Sequence, residues 1–464
     1  MNRGVLNRTA IAAAGAALVA LAVLGASTLP VQQPASVTAP DDDRARVGVV
    51  CPTIGEATVL AAGSPQGRLA LAALDEPDGA QPVDGALTTE PATAPMVITA
   101  PRLDPFSATT RTAASTGSDR GLSMASCPRP GASAWFTGVR SSGTGAAEVV
   151  LLNADAQDAT VDLSVYAARG RVNAPGSRGI VVPARSRRVV PLGPLFTLEQ
   201  AVSLQVSTSA GRVAAMVRQR MLRDDRPAGS DWVPPTADPA TTVVIPGLPG
   251  GKGGRDLVVV NPGERTASVA LQVLGASGPV ALPGFETIEL PPQTSRVVDL
   301  ARPLAGGAAW LRLTSEQEIA AGVISGSGGD VATADVSAQV AVPALTGPGV
   351  LALSPARPVA PRLQLANGAA DASAVRVVVS DPNGKVLREV TVDVPGLADR
   401  TITLPRARDV LIAVEPRAPG TIHASVGVRT ELDDVLGTSS LAIRSVGASA
   451  TLPPLRQDPR LGSQ

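Results

Sequence analysis

The sequence predicts an all-β chain of about three tandem immunoglobulin-like or fibronectin-like β-sandwich domains behind an N-terminal hydrophobic helix. Three observations predict it. A short apolar run ending in Asn recurs at Leu152-Asn153, Val260-Asn261 and Ala366-Asn367, at spacings of 108 and 106 residues. Each is followed by the same alternation: Val161, Leu163, Val165, then Val269, Leu271, Val273, then Val375, Val377, Val379. The length of 464 residues, with 44% hydrophobic content, Gly 46 and Pro 42, suits a turn-rich globular chain of two to four domains. A repeat near a hundred residues is too long for a solenoid unit and right for a domain with its own core.

Taken in order, residues 1–30 read as a signal peptide or signal anchor. Arg3 and Arg8 precede the uncharged stretch from Ala10 to Leu29, which has the charged leader and apolar run of an export segment. Its length also suits a membrane span, so cleavage and anchoring both stand. Asp41, Asp42 and Asp43 beyond it orient the remainder outward. The protein is therefore expected to be extracytoplasmic, secreted or anchored at the outer face of the cytoplasmic membrane. Residues 31–46 read as a flexible tether, 47–246 as the first sandwich with an N-terminal extension, 247–346 as the second, 347–455 as the third, and 456–464 as a tail.

Within the first sandwich, residues 47–125 carry the thinnest pattern, with strands expected at 47–51, 68–74 and 96–99. Cys51 and Cys127, the two cysteines, are expected to form a disulfide, since an exported chain can use them as one staple. It would close a loop of roughly 77 residues, restricting the unfolded chain by about 4 to 5 kcal/mol in the loop-entropy description. A pair of catalytic thiols would need a CxxC spacing and a basic partner, which are not seen.

In each repeat two strands flank a polar turn, then two more flank a Pro-containing turn, Pro183-Ala184-Arg185-Ser186 in the first and Pro291-Pro292-Gln293-Thr294-Ser295 in the second. Two further strands follow. Ile245-Pro246, Val342-Pro343 and Leu452-Pro453 read as the closing steps, giving about seven strands per copy. The recurring Asn153, Asn261 and Asn367 read as strand-ending Asx turns rather than as a repeated binding group.

The residues offer little chemistry. Forty basic and forty acidic residues balance, which leaves no electrostatic footprint for nucleic acid. His423, the single histidine, lies in a predicted strand without the neighbours a triad or zinc site requires, and reads as solvent-exposed or locally bonded. Asp224-Asp225 and Asp433-Asp434 read as solvated turns rather than a glycosidase pair. Gly247 to Gly254 resembles a phosphate loop, but Lys252 is not followed by Ser or Thr and a strand follows, so it reads as a linker. Trp135, Trp232 and Trp310 read as core or interface fillers, and only eight aromatic residues exist for stacking on a sugar. No catalytic, cofactor-binding or metal residue is expected, and no cofactor.

One resemblance gathers several of these motifs. The export segment, Val50-Cys51-Pro52, Cys127-Pro128 leading to Trp135-Phe136-Thr137-Gly138, Asp231-Trp232 before Asp238-Pro239-Ala240, and Ile245-Pro246-Gly247 resemble a family of exported actinobacterial proteins. It is catalogued as domain of unknown function 5719, and the resemblance covers essentially the whole chain after the signal, the last hundred residues matching only in style. It implies an envelope-associated protein of high-GC Gram-positive bacteria and carries over no activity and no functional residue. The expectation is a noncatalytic envelope scaffold or docking module, with envelope proteins or a cell-wall polymer as partners. A glycan-binding module is the alternative and an exported enzyme the third reading.

Overall fold

The computed structural model describes residues 46–445, apart from 54, 64–68, 77–78, 84–86, 102–105, 142–144, 197–199 and 328–333. The expected signal segment, all but the last residue of the tether, and the tail lie outside the described residues. Every regular element among the described residues is a β-strand, and none is a helix long and apolar enough to cross a membrane.

The strands fall into four units. The first has β1 (Arg46–Cys51), β2 (Ala57–Gly63), β3 (Leu69–Ala73), β4 (Gln81–Val83), β5 (Leu87–Ala92), β6 (Met96–Pro101), β7 (Phe106–Ala114) and β8 (Gly121–Ser126). The second has β9 (Ser133–Val139), β10 (Gly145–Asn153), β11 (Ala159–Ala167), β12 (Gly170–Val172), β13 (Ile180–Val182), β14 (Ser186–Pro191), β15 (Val202–Ala210), β16 (Ala214–Arg223) and β17 (Arg226–Val233). The third has β18 (Ala240–Leu248), β19 (Arg255–Asn261), β20 (Ala267–Gly275), β21 (Gly278–Ala281), β22 (Ile288–Leu290), β23 (Thr294–Asp299), β24 (Ala309–Ser327) and β25 (Asp335–Val340). The fourth has β26 (Gly349–Leu353), β27 (Arg362–Asn367), β28 (Ser373–Ser380), β29 (Val386–Val394), β30 (Asp399–Thr403), β31 (Val410–Pro416), β32 (Ile422–Leu432) and β33 (Val435–Ser445).

Each unit repeats one connectivity. The first pairs β1-β6-β3-β4 in one sheet and β5-β2-β7-β8 in the other; the second pairs β12-β11-β15-β9 and β14-β10-β16-β17 in the same way. In the third, β24 is long enough to serve both sheets, and in the fourth β26 and β33 join them at two residue pairs. Apolar side chains between the sheets form one main core per unit, built around Val59 and Ile98, Leu163 and Leu204, Leu271 and Leu311, and Val377 and Ile412.

The all-β expectation stands, while the immunoglobulin-like form does not. An immunoglobulin sandwich sets its first strand beside its second. Here the first strand of a unit lies beside the strand preceding its last hairpin, as β1 lies beside β6 and β9 beside β15. The units are barrel-like two-sheet bodies, and they close on one another in a propeller-like circuit. Residues 46–127, read from the sequence as an extension of the first sandwich, have their own two sheets and their own core.

Closure runs through the last strand of each unit. β8 touches β17, β17 touches β25, β25 touches β33, and β33 returns to β8. Smaller apolar clusters seal the seams: Trp232 with Val50 and Val150, Trp135 with Tyr166 and Val260, Trp310 with Val244 and Ala366, and Leu60 with Ala352. The three tryptophans thus fill junctions between units. At the hub both faces of a strand are covered, so β25 buries Val336, Ala338 and Val340 in the core of the second unit and keeps Asp335, Ser337 and Gln339 buried as well.

Candidate functional site

The connectors leaving the hub strands converge on one cavity of about 820 Å³. Cys127 to Gly131 arrives after β8, Pro234 to Pro239 after β17, Ala341 to Ala344 after β25, and the end of β33 supplies Ser440 to Ser445. Proline recurs along these walls, at 128, 234, 235, 239 and 343, and it fixes φ while removing the backbone donor. The walls are therefore stiff and short of N–H groups. Val342-Pro343 is a closing step as the sequence suggested, whereas Ile245-Pro246 lies inside β18. Leu452-Pro453 lies outside the described residues.

Cys51 and Cys127 are joined in a disulfide with Cα atoms 4.6 Å apart. With the Val50 N–H donating to the Pro128 carbonyl at 2.9 Å, it fixes the start of the first connector and hence the place of Arg129 on the wall. Arg129 has no hydrogen-bond or ion-pair partner among the described residues. Arg444 donates from Nη2 to the Pro235 carbonyl at 2.8 Å. Both side chains are solvent-exposed where the cavity opens, with protein atoms packed around them on the wall. Loss of water lowers the pKa of each below the ordinary arginine range; at Arg444 the Asp238 carboxylate opposes the fall and the Arg129 charge adds to it.

His423 also lines this cavity. Its Nδ1 lies 2.9 Å from the Val342 carbonyl, so that nitrogen carries the proton and Nε2 is left as an acceptor. Burial lowers its pKa, partly offset by the bond to Val342. The ring is half-buried and tied to a connector from another unit, rather than free in solvent. Neither aspartate pair joins it. Asp224-Asp225 and Asp433-Asp434 are exposed hairpin turns, and Asp433 pairs with Arg357 at 3.1 Å.

The glycine-rich loop is no phosphate cradle. Its carbonyls at Pro249 and Gly251 accept from the buried Arg255 guanidinium at 2.8 and 3.0 Å, an arrangement suited to a cation. The recurring asparagines are Asx turns as expected. Asn261 donates to the carbonyls of Arg265, Leu290 and Pro291 at 2.7, 3.1 and 3.2 Å and accepts from the Gly263 N–H at 3.0 Å; Asn153 has the same set, and Asn367 has it apart from the third carbonyl.

A polar cluster that sequence reading missed lies in the hub itself. Asp335 accepts from the N–H groups of Leu122 at 3.0 Å, Thr438 at 2.8 Å and Val336 at 2.8 Å, joining three units. Burial pushes its carboxyl up to about 7 despite those bonds. Asp231, fully buried beside it, accepts from Trp232 and Ala338, and burial drives its pKa well up. Arg218 donates to Ser123 and Ser230, pairs with Asp119 at 3.2 Å and lies over the Trp232 ring at 5.3 Å. Burial alone would raise the Asp119 carboxyl, but Arg220 and Arg218 outweigh it and hold it below the usual range. Gly121 is required here: a Cβ would lie 2.0 Å from Asp335 Oδ1, and φ is +114°. The Asp231-Trp232 pair was the visible trace of this cluster.

The model of the family of unknown function DUF5719 matches residues 85–405. The chain belongs to this family. No curated protein matches it. Among solved structures, an α-L-rhamnosidase of Streptomyces avermitilis complexed with L-rhamnose is 11% identical, with 82% of this chain and 54% of that chain covered and a TM-score of 0.14. A glycosyl hydrolase family 2 member from Bacteroides cellulosilyticus DSM 14838 is 10% identical, covering 62% and 36%, at a TM-score of 0.10. The DUF5719 chain spans about half the length of the first and about a third of the second. Scores of this size bear on neither fold nor activity.

Proposed function

We propose that this DUF5719 protein is a noncatalytic extracytoplasmic envelope protein, a docking scaffold that holds its partner or ligand in the cavity where its units meet. The observation that carries the reading is the cavity's construction: its walls are connectors from every unit, so the circuit's closure builds the site. The disulfide and the charge order around the first thirty residues support an extracytoplasmic location.

General acid–base catalysis needs a titratable group within reach of a second reacting group. The hydrogen bond of His423 is instead to a backbone carbonyl. A glycan face built on aromatic stacking needs exposed rings; Trp135, Trp232 and Trp310 are 5%, 1% and 2% exposed. Both points favour docking over the enzyme and stacking readings.

Complementation of a deletion strain tests the proposal. His423→Ala is expected to restore function, and Ala344→Trp, which fills the cavity from a half-buried wall position, is expected to abolish it. Loss of function in His423→Ala with fold and export intact would overturn the noncatalytic reading.

A further inference from the structure

Arg129 and Arg444 come from opposite ends of the chain's circuit, the first from the connector after β8 and the second from the end of β33. They line the same cavity, and the charge of one is felt at the other. Neither has a carboxylate within ion-pair distance among the described residues, although Asp238 lies near enough to act on Arg444. Elsewhere in this protein, arginines brought together are neutralised: Arg218 and Arg220 share Asp119, and Arg220 also pairs with Glu148. In the cavity the neutralisation is only partial: the Asp238 carboxylate, itself on the wall, acts on Arg444 without a direct ion pair, and no carboxylate acts on Arg129 among the described residues.

Like charges brought near one another repel, and the repulsion is relieved by an anion between them. Guanidinium groups present paired donors that match the oxygens of phosphate or carboxylate. Ser440 lines the same wall, and its buried hydroxyl has no hydrogen-bond partner among the described residues. The cavity volume of about 820 Å³ suits a small organic molecule, within the roughly 300–1,000 Å³ common for such sites.

We propose that Arg129 and Arg444 form an oxyanion-binding site in this cavity, taking the phosphate or carboxylate group of a small ligand, with Ser440 as an additional hydrogen-bonding group. This rests on the reading of the cavity as a binding site.

Calorimetric titration of the full exported chain tests it, with sodium phosphate in one arm and sodium glucuronate in the other, in low-salt Tris chloride. At least one probe is expected to bind at a single site, with affinity falling as salt rises. Arg129→Gln should weaken that binding tenfold or more; its side chain makes no bond whose loss would disturb the fold. Arg444→Gln should do the same, with its melting temperature recorded because the bond to Pro235 is lost. Arg376→Gln, which alters an exposed arginine paired with Glu389 and Glu415, should leave binding unchanged. Failure of both probes to bind wild type at millimolar concentration, or a weakening in Arg129→Gln of less than tenfold, overturns the proposal. The arm that binds identifies the oxyanion. A His423→Ala protein that binds normally but fails in the cell would sink the noncatalytic reading and leave this one standing.

Discussion

At the scale of single residues, stability is concentrated in side chains that resemble ordinary turn formers. Asn261 is fully buried and uses its one amide for bonds to three carbonyls and one N–H. Removing it leaves buried acceptors without a donor, and each such group costs about 1–3 kcal/mol. Asn261→Ala is expected to destabilise the protein by roughly 2–4 kcal/mol, read from the urea midpoint at constant slope. An exposed Asx turn would lose less than about 1 kcal/mol, so a small change would mean that these bonds are replaced by water. The sequence displayed the position of this residue through its recurrence and its turn role through its type. It did not display the carbonyls from the Pro-containing turn nearly thirty residues away, which only the folded chain brings to the same amide.

At the scale of elements, the alternation that marks the repeats corresponds to the side facing the core. Val161, Leu163, Val165, Val269, Leu271, Val375, Val377 and Val379 are buried, while Val273 is only partly so. The opposite side is less open than alternation suggests: Arg376 is exposed, but Asp162 and Gln272 are half-buried. Gln272 accepts from Arg312 at 3.1 Å. Leu271→Asp places an unpaired charge in the third core and should cost several kcal/mol, on the order of 3–5. A melting curve matching wild type would contradict the register of β20 against β24. Three units were legible because a strand, an Asn and an alternating strand recur intact. The first unit was not, since β2 ends at Gly63 where its counterparts end in Asn, and its strands are rich in Ala, Ser and Thr. The hub strands were obscured for another reason. In β25, Asp335, Ser337 and Gln339 alternate with apolar residues and imitate a half-exposed strand, yet neighbouring units cover both sides. The cavity was invisible for the same cause, since its arginines come to one wall only when the circuit closes.

At the scale of the whole molecule, Asp335 links the closure to pH. Its carboxyl, pushed up to about 7 in the folded protein, stands well above the 3.8 of an ordinary aspartate. The folded state therefore holds the proton more tightly than the unfolded chain. Its favourable contribution is fully present below pH about 4 and is lost as pH rises through 7, at roughly 1.4 kcal/mol per pH unit in that window. Asp231 contributes in the same direction. The wild-type melting temperature should fall between pH 5 and pH 8, and Asp335→Asn should fall less over the same interval. Equal slopes for the two proteins would show that this carboxyl is not protonated in the folded state at pH 5.

Closing the circuit also imposes a schedule. The Met124 N–H donates to the Ser439 hydroxyl at 3.3 Å across a separation of 315 residues. At ribosomal speeds of about 5–20 residues per second, that interval takes on the order of 15–60 s. Throughout it the first unit has been made, but the strand that finally shelters Leu122 and Met124 has not. A nascent chain must keep this surface from other chains for that time.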